Sequence, residues 1–135
     1  SYGTSVTMFY EDYSNHTSKG MLSYHTGEKY IGGFKHGIRD GHGTFLTSKG
    51  GKYIGNWEDG KYHGLGSMIM PNSLRWVGEW KEGKRDGQGA FFQMTETLQS
   101  GVWEKDKFMN ELPVEEVDEF LKSKYPDFVG LIDNE

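Results

Sequence analysis

The sequence predicts an all-β repeat protein, in which a single-layer antiparallel meander of β-hairpins is followed by one C-terminal α-helix that packs on or caps the sheet. Two observations support this fold class. A 23-residue unit occurs three times in succession, at residues 30–52, 53–75 and 76–98, and a fixed period of this length is typical of repeat architectures. Each unit also contains two short aromatic-rich segments bounded by glycines, as expected of two strands and their turns.

Each copy of the unit predicts one hairpin. In the second copy, residues 52–58 alternate between two faces as in a strand, with Tyr53, Gly55 and Trp57 on one face and Ile54 and Asn56 on the other. Asp59 and Gly60 begin a turn segment that we expect to end near Gly64, because glycine supplies the positive φ that tight turns require. Residues 66–70 then form the returning strand.

Glycines inside the predicted strands need a physical reason, because an interior glycine weakens a strand. Gly55 lies between Tyr53 and Trp57 on one face, and its missing side chain leaves room for neighbouring rings to lie across the backbone. Stacked copies align these rings in rows. The opposite face carries apolar rows as well, formed by Ile31, Ile54, Val77, Leu46, Ile69 and Phe92. A thin sheet with apolar rows on both faces leaves a surface for a partner, or another part of the chain, to cover.

The segments on either side of the full copies depart from the repeat. The predicted array spans residues 1–112; it begins with a degenerate copy at about 7–29 and ends with a half copy at 99–108, expected to be one strand. Residues 113–135 form an amphipathic helix and a tail, with Pro113 in the first helical turn. One face of this helix carries Val114, Val117, Phe120 and Leu121. We expect the helix to cap the end of the array or to cover an apolar face.

Composition argues against several classes of function. The net charge of −5 disfavours nucleic-acid binding, which normally needs a strongly basic surface. The chain has no cysteine, no apolar run long enough to span a membrane and no visible signal peptide, which is compatible with the cytoplasm. No spacing predicts a metal site, a phosphate loop or a catalytic constellation, so we expect no cofactor and no enzymatic activity. The start at Ser1 rather than Met suggests a part of a longer protein.

The spacing of aromatic residues and glycines resembles that of a known repeat. In the second copy it is Tyr-x-Gly-x-Trp-x-x-Gly-x-x-x-Gly-x-Gly, from Tyr53 to Gly66. The first copy has Phe34 in place of the Trp, and the third has Trp76 in place of the Tyr. This pattern resembles the MORN (membrane occupation and recognition nexus) repeat. The resemblance implies an elongated, curved single-layer sheet that serves as a scaffold or targeting module, as in junctophilins and radial-spoke head proteins.

The resemblance also implies a partner surface, because some MORN proteins bind a peptide or helix along an aromatic groove. The matching residues here are Tyr30, Phe34, Tyr53, Trp57, Trp76, Trp80 and Trp103. The first hypothesis is therefore a non-catalytic protein-interaction or scaffold module, whose partner is a protein, a peptide or a second protomer in a homodimer. The competing interpretation is that the rings are only the core that joins hairpin to hairpin. Because the same residues define the repeat, both interpretations stay open.

Two further hypotheses concern membranes and larger proteins. Stacked copies line cations along the turn edge, where anionic phospholipid headgroups could bind. These cations are Lys35, Arg39, Lys61, Lys84 and Arg85. Acidic residues interrupt that edge, so a solvated edge of mixed charge is the simpler interpretation. The chain could also be a regulatory fragment of a larger enzyme, and the resemblance suggests association with the cytoskeleton or a membrane.

Overall fold

The computed structural model describes residues 3–132 of the chain. Within them, ten strands form a single open antiparallel sheet in sequence order, followed by one helix. The elements are β1 (Thr4–Asp12), β2 (Thr17–Tyr24), β3 (Lys29–Lys35), β4 (Ile38–Leu46), β5 (Lys52–Glu58), β6 (Lys61–Ile69), β7 (Leu74–Lys81), β8 (Lys84–Gln93), β9 (Glu96–Glu104), β10 (Lys107–Glu111) and α1 (Val114–Lys124). The structure therefore confirms the predicted fold class, a single-layer meander of hairpins with a C-terminal helix on the sheet.

The hairpins of the three full copies close through two-residue turns. Both central residues have positive φ, 50° at Asp59 and 79° at Gly60 in the second copy. This combination is typical of a type I′ turn, whose twist matches that of the flanking strands. The first and third copies repeat the same signs of φ. The predicted turn segment from Asp59 to near Gly64 is therefore wrong, because β6 begins at Lys61, directly after the turn.

Gly64 lies inside β6 because each full hairpin contains a β-bulge. Between the pairs Gly55–Gly66 and Trp57–Tyr62, β5 contributes one residue and β6 contributes three. Gly64 takes a φ of +81° within this bulge, a value that favours glycine. The equivalent glycines of the first and third copies also have positive φ. The bulges, rather than the turns, explain this glycine of the repeat.

A row of glycines crosses the side of the sheet that we call the front face. Cross-strand pairing aligns one glycine from each strand from β2 to β9, namely Gly20, Gly32, Gly43, Gly55, Gly66, Gly78, Gly89 and Gly101. A Cβ atom at Gly43 would overlap the ring of Tyr30, and one at Gly66 would overlap the ring of Tyr53. The rings therefore occupy the space that side chains at these glycines would fill.

Helix α1 lies on the opposite side of the sheet, the back face, over β8 and β9. It contributes to an apolar cluster of the back face, formed by Val77, Ala90, Phe92, Val117, Leu121 and Leu131. Of the predicted helix face, Val117 and Leu121 are fully buried, whereas Val114 and Phe120 are half-buried. The helix thus covers a face rather than the end of the array. Pro113 precedes the helix at its N-cap, instead of lying in the first turn as predicted.

The last repeat segment is a complete hairpin, which corrects the prediction of one strand over residues 99–108. Strands β9 and β10 are joined by a two-residue turn at Lys105 and Asp106, with φ values of 48° and 72°. No glycine occupies this turn. Aspartate replaces it, because a short polar side chain tolerates the left-handed backbone better than most. At the other end, β1 and β2 form a hairpin before the first full copy.

Candidate interaction surface on the front face

The seven aromatic residues predicted to line a groove form the first buried cluster of the structure. They are Tyr30, Phe34, Tyr53, Trp57, Trp76, Trp80 and Trp103, and none is more than 7% exposed. Edge-to-face contacts join each copy to the next, with ring centroids 5.1 Å apart between Tyr30 and Trp57. Tyr53 and Trp80 repeat this contact at 5.4 Å. Such pairs contribute about 0.5–1.5 kcal/mol beyond their burial. The expected groove is therefore filled by its own rings.

The polar atoms of these rings are mostly satisfied within the array. The Trp57 indole N–H donates to the carbonyl of Gly43 at 3.1 Å, and the next copy repeats this bond at 3.0 Å. The Tyr53 hydroxyl donates to the carbonyl of Asn56 at 2.8 Å. Trp76, which replaces a tyrosine of the repeat, has a buried Nε1 with no acceptor among the described residues. The rings are core residues, and their direct role in partner binding stays a prediction.

Burial raises the pKa of the tyrosine hydroxyls in this layer. The pKa of Tyr30 rises to about 12, chiefly through desolvation, while Arg39 lowers it and Asp40 raises it. Burial raises the pKa of Tyr53 as well. Both phenols are therefore protonated across the physiological range of pH. The packing of the front face requires this neutral form.

A second layer of side chains lies on top of the rings. Four residues spaced one repeat apart, which we call the cover row, follow the hairpin turns: Arg39, Tyr62, Arg85 and Phe108. The ring of Tyr62 stacks on that of Tyr53 with centroids 3.9 Å apart. The guanidinium of Arg39 lies 4.9 Å from the ring centre of Phe45. The cover row is half-buried or exposed, so it forms the accessible part of the front face together with the half-buried side chains of Phe45, Met68 and Phe91.

The five cations predicted for the turn edge do not lie together. Lys35, Lys61 and Lys84 are exposed at the hairpin ends. Arg39 and Arg85 instead turn onto the front face, where they lie half-buried over aromatic rings. A planar guanidinium stacks well on such a layer, which is the physical reason for this orientation. Of the five predicted cations, the three lysines therefore remain at the turn edge, and anionic-lipid binding there stays a prediction.

Two buried carboxylates that the sequence did not single out hold the C-terminal segment on the back face. Glu79 accepts hydrogen bonds from Lys124 Nζ at 2.6 Å and from Tyr125 Oη at 2.7 Å. Asp118 accepts one from the backbone N–H of Leu131 at 2.6 Å. Burial, with the hydrogen bond to Glu79, raises the pKa of Tyr125. The sequence indicates the role of Glu79 only weakly, through a departure from the repeat: the two preceding copies carry glycine and asparagine at the equivalent position.

These features define a class of protein, a repeat protein of stacked β-hairpins in which an aromatic layer joins each hairpin to the next. Comparison with models of known families makes the assignment specific, because residues 30–52, 53–75 and 76–92 each match the MORN repeat. The chain is a MORN-repeat protein. A search of the curated proteins found no match.

The family narrows the class of function. MORN repeats are generally protein- or membrane-interaction modules, and the family is generally non-catalytic. Its members are often associated with a membrane or the cytoskeleton. Within residues 3–132 of this chain, no helix is both long and apolar enough to cross a membrane.

Proposed function

We propose that the chain is a non-catalytic protein-interaction module whose front face binds a protein or peptide partner. The observation that carries this proposal is the unequal covering of the two faces. On the back face, the chain packs its own helix and tail over the sheet, with Leu131 buried among the sheet and helix side chains. On the front face, no described segment lies over the cover row, although its members are aromatic or stack on aromatic rings.

The composition of the front face suits a protein partner. Aromatic and arginine side chains are enriched at the centres of protein interfaces, whereas lysine is depleted there. Tyr62, Met68 and Phe91 are half-buried, so each offers part of its surface without leaving the sheet. The packed rings beneath them limit their motion, which lowers the entropy lost when a partner binds.

Paired variants on the two faces test the proposal. Tyr62→Ser and Met68→Ser alter the front face, and Ile31→Ser alters an exposed back-face position as a matched control. Partners are captured on immobilised protein, after circular dichroism has shown that each variant is folded. We expect the front-face variants to recover a partner at least about tenfold less well, which corresponds to about 1.4 kcal/mol. Unchanged recovery with the front-face variants, or an equal loss with the control, would contradict the proposal.

The other two hypotheses have no specific structural observation in their favour. Of the five cations predicted for phospholipid targeting, Lys35, Lys61 and Lys84 are exposed at the hairpin ends, whereas both arginines lie on the front face. A regulatory role within a larger enzyme would depend on sequence outside this chain. We propose a cytoplasmic module associated with the cytoskeleton or a membrane, because MORN-repeat proteins often have that association.

A further inference from the structure

Two arginines of the cover row stand in equivalent places with different surroundings. Arg39 and Arg85 are two repeats apart, and each holds its guanidinium over rings of the front face. Each also accepts a backbone hydrogen bond from the second residue of the following hairpin turn. The bond from Gly60 N to Arg39 O is 2.9 Å long, and so is the bond from Asp106 N to Arg85 O. Gly60 and Asp106 are therefore structural equivalents.

At Arg85, a carboxylate fills the space beside the arginine. Asp106 Oδ1 accepts a hydrogen bond from the backbone N–H of Arg85 at 2.8 Å and another from its Nε at 3.2 Å. Arg85 Nη2 also donates to the carbonyl of Asp106 at 3.2 Å. The chain itself thus shows how an arginine of the cover row binds a carboxylate.

At Arg39, the same space is open because Gly60 has no side chain. A pocket of about 230 Å³, which we call the Arg39 pocket, is lined there by Arg39, Trp57, Gly60, Lys61, Tyr62 and Gly83. Within residues 3–132, the Arg39 guanidinium forms no ion pair. It donates a hydrogen bond to the hydroxyl of Tyr24 at 2.8 Å. Its charge is therefore available to an anion from outside the described chain.

Other charges around the Arg39 pocket partly oppose one another. Lys61 lines the pocket and adds a positive charge, while the exposed Asp59 of the same turn adds a negative one. Burial raises the pKa of Tyr62, Arg39 lowers it and Glu28 raises it, so Glu28 lies near enough to act on this region. Neither acid is paired with Arg39.

We propose that the Arg39 pocket binds the carboxylate of an aspartate or glutamate side chain of the partner, in the way that Arg85 binds Asp106. The inference rests on the proposed function, because the pocket opens on the front face. The ligand is a carboxylate rather than a lipid phosphate, because the equivalent arginine already binds a carboxylate through its backbone N–H and Nε together.

Copying Asp106 into the open pocket provides the decisive variant. Gly60→Asp places a carboxylate of the chain beside Arg39, and the φ of +79° at Gly60 is close to the 72° that Asp106 adopts. A Cβ atom there would lie 3.3 Å from Ile38 Cγ2, which a small side-chain movement can accommodate. Gly60→Asn is the matched control, because it has almost the same shape without the charge. Asp106→Gly is the converse variant, which opens the site at Arg85.

Acetate is the probe, and NMR shifts of the arginine Nε–H groups are the measurement. We expect acetate to shift the Arg39 signal saturably in the natural protein and in Gly60→Asn, and at least about tenfold more weakly in Gly60→Asp, since 1.4 kcal/mol corresponds to tenfold. Asp106→Gly should make the Arg85 signal respond as well. No response at Arg39, or an equal response in Gly60→Asp, would overturn the proposal. So would methyl phosphate or anionic vesicles binding at Arg39 where acetate does not.

The acetate measurement needs no partner, so the two proposals can fail separately. If acetate binds at Arg39 but Tyr62→Ser recovers the partner as well as the natural protein does, the Arg39 pocket is supported as a carboxylate site and the proposed function is contradicted. If Tyr62→Ser lowers partner recovery but Gly60→Asp and Gly60→Asn recover the partner equally well, the proposal for the Arg39 pocket is contradicted and the proposed function is supported. Reduced recovery in Gly60→Asp alone supports both.

Discussion

Tyr53 illustrates how a single residue holds the front face together. Its ring lies over Gly66 of the neighbouring strand, and its hydroxyl donates to the carbonyl of Asn56. The same ring makes edge-to-face contacts with Trp57 of its own copy and with Trp80 of the next. One side chain thus fills the glycine row, satisfies a backbone carbonyl and joins two copies. Substitutions at either member of the Tyr53–Gly66 pair should therefore be coupled.

We predict that Gly66→Ala lowers the free energy of unfolding by about 2–3 kcal/mol, because a methyl group there would overlap the Tyr53 ring. Ser67→Ala, at the adjacent back-face position, is the control and should change stability by less than about 0.5 kcal/mol. Urea denaturation measures both. The cost of Gly66→Ala should shrink in a Tyr53→Ala background, and an unchanged cost in the double variant would show that the ring is not its cause.

The buried phenols predict a loss of stability at alkaline pH. The pKa of Tyr30 is about 12 in the folded protein and about 10 in an unfolded chain. Because the folded value is raised, this contribution is fully present below pH 10 and is lost as pH rises from 10 to 12. Its size is on the order of 2 kcal/mol. Urea titrations across this range should show the decline, and Tyr30→Phe should make it shallower; an equally steep decline in that variant would contradict the assignment.

Helix α1 is held by polar contacts at its C-terminal end as well as by its apolar face. Glu79 on β7 receives both Lys124 and Tyr125, and the second Glu79 oxygen accepts the backbone N–H of Gln88 at 3.0 Å. A buried carboxylate is unfavourable unless it is paired and hydrogen-bonded, and Glu79 meets both conditions. The position of the helix end over the sheet is therefore set by a specific contact.

Glu79→Gln should loosen this contact, since the neutral amide cannot form the ion pair with Lys124. We expect a loss of about 1–3 kcal/mol in the free energy of unfolding. We also expect faster hydrogen exchange at the last turn of α1. Glu116→Gln, which removes an exposed charge from the same helix, is the control and should leave both quantities nearly unchanged. Equal effects of the two variants would mean that the Glu79 contact contributes little.

Strands and turns could be predicted from the sequence where they depend on interactions between residues close together in the chain. The repeat period and the interior glycines predict the hairpins, because a ring needs a missing side chain beside it. The turn length was wrong, since nothing in a single copy distinguishes the glycine of a turn, Gly60, from the glycine of a bulge, Gly64. The contact between Glu79 and Lys124 was not predicted, because it joins residues 45 positions apart that no local pattern connects.

The candidate site was predicted only in part, for a related reason. The sequence predicted that the seven rings lie on one face of the sheet, because they repeat at fixed positions, and they do form one buried cluster. The sequence could not distinguish buried residues from accessible ones, so it named the seven buried rings and not the cover row that lies over them. Arg39 and Arg85 were assigned to the turn edge by their spacing from the turns. Whether an arginine points along the edge or folds over a ring depends on the packing around it.

At the scale of the whole molecule, the helix makes the two ends of the array unequal. Within residues 3–132, the main contacts between strands join sequence neighbours in the sheet, so the stability of the array is approximately a sum over neighbouring hairpins. The helix lies over β8 and β9, and its apolar cluster with the tail includes side chains of β7 and β8 and, at Leu65, of β6. The back face nearer the N-terminus keeps exposed apolar residues, such as Ile31.

Removal of residues 113–135 is predicted to leave a folded array that self-associates. The truncation exposes Val77, Ala90 and Phe92, which are buried in the intact chain, and a contiguous apolar patch favours association. Circular dichroism should still show β-sheet, while sedimentation velocity shows species larger than a monomer. Adding Val77→Ser and Phe92→Ser to the truncated chain should reduce this association. A monomeric truncated chain of unchanged stability would contradict the prediction, and dimerisation of the intact chain remains a separate prediction.

The regular spacing of the cover row sets a length scale for whatever lies across it. The members lie on every second strand, so consecutive members are about 10 Å apart. A helix rises about 1.5 Å per residue, so one copy of the sheet corresponds to roughly seven residues, or two helical turns. The same side of a helix laid across the strands therefore returns to the surface at each copy. A helix that lies across the strands would therefore meet one cover-row residue in each heptad.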